Sequence, residues 1–235
     1  MSTTQPVLSI GGITPFTTID FPNQLAAVIF CQGCAWRCGY CHNTHLLNIH
    51  AKPALSWEKV KTFLQRRQGL LDAVVFSGGE PTLQKGLPEA IQYVRYLGFK
   101  VGLHTAGFNP KSLAKILPDL DWIGFDIKAP FENYAKITGV PDSGKQPWES
   151  AKMVLKSGVP YEFRTTVHPH LLTETDLIKL VTALAKLGVQ RYILQDCHIT
   201  NCLEPSLRTF TQNKIIHNQH LIQTIQTLIP QTILR

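Results

Sequence analysis

The chain alternates between short, continuously apolar runs and longer amphipathic segments. The apolar runs predict strands, because they are rich in β-branched or aromatic residues and apolar on both faces, as strands of a covered parallel sheet are. Six strands are predicted in this way, at residues 25–31, 72–77, 100–105, 121–127, 161–167 and 191–196. Between them, apolar positions at helical spacing predict helices at 56–68, 86–98, 109–118, 146–158 and 173–188.

Helix-terminating signals support this alternation. Thr173 followed by Asp176 approximates a capping box, and Gly98, Gly158 and Gly188 stand where a glycine ends a helix. Alternating strands and helices form right-handed βαβ units, which places the chain in the α/β class. Six strands are fewer than the eight of a closed (β/α)8 barrel. On periodicity alone, an open partial barrel and a doubly wound sheet both remain possible.

No low-complexity tract or linker divides the sequence, which predicts one domain over residues 1–235. It comprises an N-terminal extension of about residues 1–24, a core of about 25–200 and a C-terminal helical tail of about 206–235. In the tail, apolar residues at helical spacing predict one final helix that ends near residue 229. They are Leu221, Ile222, Ile225, Leu228 and Ile229.

The composition is that of a globular, water-soluble protein, with 44% hydrophobic and 17% charged residues. The net charge of +7 favours an acidic partner, but the basic residues are scattered, so we expect a basic solvated surface and no nucleic-acid binding. The sequence shows no export signal and no apolar run near the roughly 20 residues of a membrane span. We therefore expect a cytoplasmic protein, in which clustered cysteines bind metals more often than they form disulfides.

Four cysteines fall at positions 31, 34, 38 and 41, directly after the first predicted strand. A structural zinc site usually uses two close pairs about 12–20 residues apart, and this spacing is too cramped for that. A cubane iron–sulfur cluster can take its ligands from one tight loop. If Cys31 is a small buried residue that ends the strand, Cys34, Cys38 and Cys41 remain. Three thiolates on four irons leave one coordination position open, as a catalytic metal site requires.

The Cys-x3-Cys-x2-Cys spacing, with Tyr40 before the last cysteine, resembles the motif of the radical S-adenosylmethionine (SAM) superfamily. The wider segments GGITPFTTIDFPNQLAAVIF, GC-W-RCGYCHN, FSGGEPTLQ and DWIGFDIKAP resemble the activating enzymes of glycyl-radical proteins. The resemblance is strongest to the activating proteins of anaerobic ribonucleoside-triphosphate reductase, and it runs from about residue 10 to residue 200. It implies a partial (β/α)6 barrel, which decides between the two architectures left open above.

The resemblance also implies a [4Fe-4S] cluster held by Cys34, Cys38 and Cys41, with SAM chelating the open iron. One electron from the reduced cluster would then split SAM to a 5′-deoxyadenosyl radical. In this family, Gly78 and Gly79 let the backbone approach the methionine end of SAM, and Glu80 fixes their turn. The implied cofactor-binding residues are Tyr40, Cys41, His42, Gly78, Gly79, Glu80, Asp126, Ile127, Lys128, Arg164 and His198.

Some residues depart from the family pattern. Cys197 and Cys202 are too few to hold a second cluster. His104 replaces an acidic residue that pyruvate formate-lyase activases use near a monovalent cation, which puts that cation site in doubt here. Asn23 stands where relatives often carry glycine.

The function implied by the resemblance is hydrogen abstraction from one glycine of a partner, most specifically anaerobic ribonucleoside-triphosphate reductase. A flavodoxin- or ferredoxin-like protein would donate the electron. In one alternative the protein uses the same radical SAM chemistry on a different substrate. It would then be an activase of pyruvate formate-lyase or a small-molecule enzyme such as a 7-carboxy-7-deazaguanine synthase. A second alternative is a non-catalytic cysteine-rich module that uses the positive charge to bind nucleic acid.

Overall fold

The computed structural model describes residues 8–209 and 215–235. The strands within these residues form one eight-stranded sheet, in which each strand pairs with the next one along the chain. The strands are β1 (Ile10–Thr17), β2 (Ala26–Cys31), β3 (Ala73–Gly78), β4 (Lys100–Thr105), β5 (Trp122–Asp126), β6 (Tyr161–Val167), β7 (Arg191–Asp196) and β8 (Gln231–Leu234).

Helices connect the consecutive parallel strands. They are α1 (Trp57–Gln65), α2 (Leu87–Tyr96), α3 (Pro110–Ile116), α4 (Tyr134–Thr138), α5 (Lys145–Ser157), α6 (Glu174–Leu187) and α7 (Gln219–Leu228). The side chain of Thr173 accepts a hydrogen bond from the backbone N–H of Asp176, and the Asp176 side chain completes the predicted capping box of α6.

The six predicted strands are confirmed as β2 to β7, each within one residue of its predicted bounds. The predicted helices correspond to α1, α2, α3, α5 and α6. The sequence did not predict the short helix α4 or the edge strands β1 and β8. Strand β1 is antiparallel to β2, and β8 is parallel to β7.

The strictly sequential strand order distinguishes a partial barrel from a doubly wound sheet, whose order reverses at a switch point. Inward-facing residues of distant strands meet because the sheet curls. Phe21, just before β2, stacks against Trp122 of β5 with ring centroids 5.5 Å apart, and a Cβ at Gly102 would lie 2.9 Å from Phe21. The α/β partial barrel is therefore confirmed, with its sheet open in the described part of the chain.

The predicted tail is wrong as a single helix. Helix α7 contains the expected apolar positions, but it ends at Leu228, and Pro230 leads into the strand β8. Residues 205–209 form a separate 3-10 turn. Residues 1–7 of the predicted N-terminal extension and residues 210–214 of the predicted tail lie outside the described residues.

The barrel interior contains a buried carboxylate, that of Glu162, with three arginines around it. Arg164 and Arg235 donate hydrogen bonds to Oε1 of the fully buried Glu162, at 2.7 Å and 3.1 Å. Arg191 approaches the other oxygen at 3.6 Å. Because Arg235 follows β8, the C-terminal strand contributes directly to the charge balance of the interior.

Over residues 8–209 and 215–235, no helix combines the length and the apolar character that a transmembrane segment requires.

Candidate active site

A cavity of about 200 Å³ opens at the edge where the parallel strands end. Ligand sites of barrel enzymes lie at this carboxyl edge, because several strands and loops direct their side chains to one place there. The cavity brings together most of the site residues predicted from the sequence. Those that line it are Cys34, Cys38, Tyr40, Cys41, His42, Gly78, Gly79, Glu80, Asp126 and Lys128.

The cysteine loop after β2 is held from two sides by backbone hydrogen bonds. Cys34 donates from its N–H to the carbonyl of Leu47 at 3.2 Å. On the other side, Arg37 donates to the carbonyl of Thr138 at 3.0 Å, and Gly39 donates to the carbonyl of Ile137 at 3.2 Å. The loop therefore depends on the carboxyl end of α4, a helix that the sequence did not reveal.

Cys31 is separated from the other three cysteines of the loop. It ends β2, is fully buried, and packs in the apolar layer between sheet and helices rather than on the cavity. This position agrees with the expectation of a small buried residue that ends a strand.

The thiols of Cys34, Cys38 and Cys41, which line the cavity, can serve as ligands of a metal cluster. Burial raises the pKa of Cys34 to about 11 and also raises the pKa of Cys38 and Cys41. Lys128 opposes burial by lowering the pKa of all three thiols. A coordinated metal deprotonates thiols outright, so an iron–sulfur cluster fits this donor set. The cavity leaves room beside the three thiols, bounded by the glycine turn after β3.

The turn at Gly78 and Gly79 can only be formed by glycine. Gly78 has a φ of +119°, and a Cβ there would lie 2.4 Å from backbone atoms of Cys31. A Cβ at Gly79 would lie 2.2 Å from the carbonyl oxygen of Gly33. Both contacts are too short for any side chain, because real Cβ atoms do not approach backbone atoms so closely. The pair thus packs directly on the cysteine loop and exposes its backbone to the cavity.

The Glu80 carboxylate fixes this turn to the end of β4. Its Oε1 accepts hydrogen bonds from the Thr82 N–H at 3.1 Å and the hydroxyls of Thr82 and Thr105 at 2.6 Å each. Its Oε2 accepts one from the Ala106 N–H at 2.9 Å. Because these donors occupy both oxygens of a buried side chain, the role of Glu80 at the cavity is to position the turn.

Lys128 places a buried ammonium group beside the cysteines. Its Nζ lies 5.5 Å from the centre of the Tyr40 ring and 3.8 Å from Oδ2 of Asp126. Burial favours the neutral amine, but Tyr40, Cys38 and Asp126 outweigh it and raise the pKa of Lys128 well above its ordinary value. The group therefore stays charged, and it can attract a carboxylate or other anionic part of a bound ligand.

His42 and His198 lie together at the exposed rim, with ring centroids 6.0 Å apart. Burial lowers the pKa of His42, while a hydrogen bond with the backbone of His198 opposes that shift. The Nε2 atom of His42 faces Cys197 Sγ at 4.0 Å. His42 therefore lines the cavity and also contacts the loop after β7 through its Nε2 atom.

Besides His198, which lies next to His42, two further predicted cofactor contacts are not among the residues that line the cavity. Ile127 is fully buried, and its backbone N–H and C=O bond to Arg164 and Thr165 of β6. Arg164 binds Glu162 and stacks over Trp122 with 5.1 Å between its guanidinium carbon and the ring centre. Gly124 makes room for this stack, since a Cβ there would lie 2.9 Å from both side chains.

Sequence reasoning missed several residues that line the cavity. They are Trp36, Asn43, Ser77, Thr105, Ala106 and Thr166. For Ser77, Thr105, Ala106 and Thr166 the available signal was their position at the ends of predicted strands, because carboxyl ends of parallel strands meet at one edge. Trp36 and Asn43 belong to the cysteine loop itself. His104 also lines the cavity, and its Nε2 lies 2.9 Å from the carbonyl oxygen of Asp20. Burial, reinforced by Arg164, lowers the pKa of His104 to about 3, so its ring is neutral.

Comparison with known proteins agrees with this geometry. A family model described as "Radical SAM superfamily" matches residues 28–192. A protein of Methanocaldococcus jannaschii, whose name places it among glycyl-radical enzyme activating enzymes, is 31% identical over 175 residues, covering 72% of each chain. The pyruvate formate-lyase-activating enzyme of Clostridium pasteurianum is 30% identical over 184 residues, covering 75% of this chain and 76% of that protein.

A solved structure shares the fold. The crystal structure of Streptococcus suis SuiB bound to S-adenosylmethionine aligns with a TM-score of 0.66 at 16% identity. The alignment covers 87% of this chain and 48% of SuiB, so this chain spans about half the length of that protein. At this identity the match supports the fold alone.

Proposed function

Since the chain belongs to the radical SAM superfamily, we propose that it is an activating enzyme that abstracts a hydrogen atom from one glycine of anaerobic ribonucleoside-triphosphate reductase. The observation that carries the proposal is the cavity itself, where Cys34, Cys38 and Cys41 face the turn of Gly78 and Gly79. The two relatives named as activating enzymes support a glycyl-radical partner. The wider sequence resemblance described above supports the reductase as that partner.

The cluster and SAM, when bound, supply the one-electron chemistry of the reaction. The protein would hold and shield them: Cys34, Cys38 and Cys41 would bind three irons of a [4Fe-4S] cluster. The backbone at Gly78 and Gly79 would accommodate the methionine end of SAM, and Lys128 would attract its carboxylate. No side chain of this set needs to transfer a proton.

A glycine is a suitable target because it has no side chain to obstruct the approach of its Cα to the cavity. The partner would present it on an extended loop at the rim formed by His42 and His198. A flavodoxin- or ferredoxin-like protein would deliver the electron. We also propose a cytoplasmic location, because clustered metal-binding cysteines are typical of that reducing compartment.

The cluster assignment is tested by single substitutions in anaerobically purified protein. Replacing Cys34, Cys38 or Cys41 with Ala should abolish iron binding and the reductive cleavage of SAM to 5′-deoxyadenosine. Cys31→Ser is the matched control, since this buried cysteine lies off the cavity, and it should retain both. Loss of iron in the control would contradict the assignment, and a colourless wild-type protein that binds DNA would support the nucleic-acid alternative.

The role of Lys128 is tested separately from cluster binding. Lys128→Ala should weaken SAM binding about tenfold or more, because it removes a buried charge worth at least about 1.4 kcal/mol to an anionic ligand. Its iron content should remain that of the wild type. Equilibrium SAM binding and iron analysis measure the two properties, and iron loss would show that Lys128 is structural instead.

The identity of the partner is tested by electron spin resonance. The reduced enzyme and SAM are incubated separately with anaerobic ribonucleoside-triphosphate reductase and with pyruvate formate-lyase. A doublet glycyl radical signal with the reductase alone is the expected result. A signal with pyruvate formate-lyase alone would assign the chain to the activity named for its Clostridium relative. SAM cleavage without any protein radical would favour a small-molecule substrate.

A further inference from the structure

Three metal-ligating side chains meet beside the cluster loop without belonging to the predicted cluster. The first is His42, which follows Cys41. The other two are Cys197, which follows β7, and Cys202, which follows a short 3-10 turn at Ile199–Asn201. Their ligand atoms all lie within 4.8 Å of one another. Both cysteines are buried, while His42 is exposed at the rim.

The spacing of these atoms is close to that of a tetrahedral metal site. With Zn–S bonds of about 2.3 Å and a Zn–N bond of about 2.0–2.1 Å, a tetrahedron has an S–S edge of about 3.8 Å and an S–N edge of about 3.6 Å. The observed distances are 3.7 Å between the Sγ atoms of Cys197 and Cys202, and 4.0 Å from Cys197 Sγ to His42 Nε2. These two edges lie within a few tenths of an ångström of the tetrahedral values, and the third, between Cys202 and His42, is at most 4.8 Å.

The surroundings hold each ligand in place. The N–H of Cys197 donates to the carbonyl of Val167 at 3.2 Å. Arg208 donates from Nε to the carbonyl of Cys202 at 2.7 Å. The His42 ring lies against the ring of His198, with ring centroids 6.0 Å apart.

We propose that Cys197 Sγ, Cys202 Sγ and His42 Nε2 bind a Zn²⁺ ion, with water in the fourth position. Two thiolates and one imidazole with an open position form a known zinc set, Cys2His. The ion is distinct from the iron–sulfur cluster, whose proposed ligands are Cys34, Cys38 and Cys41. The ion ties the end of the cluster loop to the end of β7, two segments 155 residues apart in the chain.

Metal analysis of the cluster-loaded full-length protein tests the proposal directly. The protein is purified without oxygen, supplied with one equivalent of Zn²⁺ and dialysed, and zinc and iron are then measured together. Wild type should retain about one zinc per chain, and Cys197→Ser or Cys202→Ser should lower zinc at least tenfold while iron is unchanged. Cys31→Ser is the matched control, a buried cysteine outside both sites, and it should keep both metals.

Three results would overturn the proposal. Equal zinc in wild type and Cys197→Ser would place the ion elsewhere, and iron loss in Cys197→Ser would assign this cysteine to an iron cluster. A Cys197–Cys202 disulfide in wild type with no retained zinc would assign the pair to thiol redox chemistry. Because metal content is measured without any partner protein, failure of the reductase assay leaves this test unaffected.

A second measurement covers the case in which the serine variants fold poorly. In the variant that carries Cys34→Ala, Cys38→Ala and Cys41→Ala, added Co²⁺ should produce thiolate-to-cobalt charge-transfer absorption from Cys197 and Cys202. Adding Cys197→Ala to this variant should remove the absorption, whereas Cys31→Ala should not. The proposed site would be refuted if the absorption persisted without Cys197, or if the variant with the three alanine substitutions showed no charge-transfer absorption.

Discussion

Glu80→Gln tests whether the carboxylate holds the glycine turn in place. The best orientation of Gln keeps its oxygen toward Thr82 and Thr105, and this turns its NH2 group toward the N–H of Ala106. Two donors then face each other in a buried site. An unsatisfied buried donor costs about 1–3 kcal/mol, and hydrogen bonds to a neutral acceptor are weaker than those to a charged one. We expect a total loss of about 3 kcal/mol.

This loss is large enough to be measured in two independent ways. At about 2–4 °C per kcal/mol for a chain of this size, Tm should fall by about 6–12 °C. Because Glu80 positions the turn of Gly78 and Gly79, SAM binding should weaken as well. Glu58→Gln is the control, since its side chain is 76% exposed and pairs with Lys61 on the surface of α1, and it should change Tm by less than about 4 °C. Wild-type Tm and SAM affinity in Glu80→Gln would refute the reasoning.

Two further predictions concern the barrel interior. His104 has a pKa of about 3 in the folded protein and about 6.5 when unfolded, so the unfolded state gains a proton as pH falls through 6.5 and stability is lost. Between pH 7.5 and pH 5.5, the free energy of unfolding measured with urea should fall by about 1.4 kcal/mol more in wild type than in His104→Gln. Equal falls in the two proteins would show that His104 is not the origin of the pH dependence. Arg164→Met removes the partner 2.7 Å from the buried Glu162 and should cost about 3 kcal/mol. Arg95→Met, which breaks an exposed ion pair, should cost less than about 1 kcal/mol, and equal costs would show that burial does not decide the effect.

The sequence predicted β2 to β7 closely because each strand is buried on both faces and therefore reads as a continuous apolar run. It missed β1 and β8, which lie at the edges of the sheet, where one side lacks a neighbouring strand and the apolar signal is weak. The last strand was read as part of a helix, because a four-residue strand after α7 has too few positions to show a period of two. Only pairing with β7 defines it.

The residues of the candidate site also fall into two groups, those that local sequence predicted and those whose contacts only the structure shows. Local spacing was sufficient for Cys34, Cys38 and Cys41 and for the glycine pair, because one short loop and one turn contain their chemistry. The family resemblance assigned Arg164 to the cofactor, and only the structure shows that the buried Glu162 binds it. Likewise, nothing local in the sequence connects His42 with Cys197 and Cys202.

The sequence by itself thus determined the strand and helix alternation, the cluster-binding spacing and the glycine turn, because each depends on residues close together in the chain. The tertiary structure decided the curvature of the sheet, the partners of Glu80 and Glu162, and the meeting of His42 with two distant cysteines. These contacts join residues up to 155 positions apart, and they exist only once the curled sheet brings the carboxyl ends of its strands to one edge.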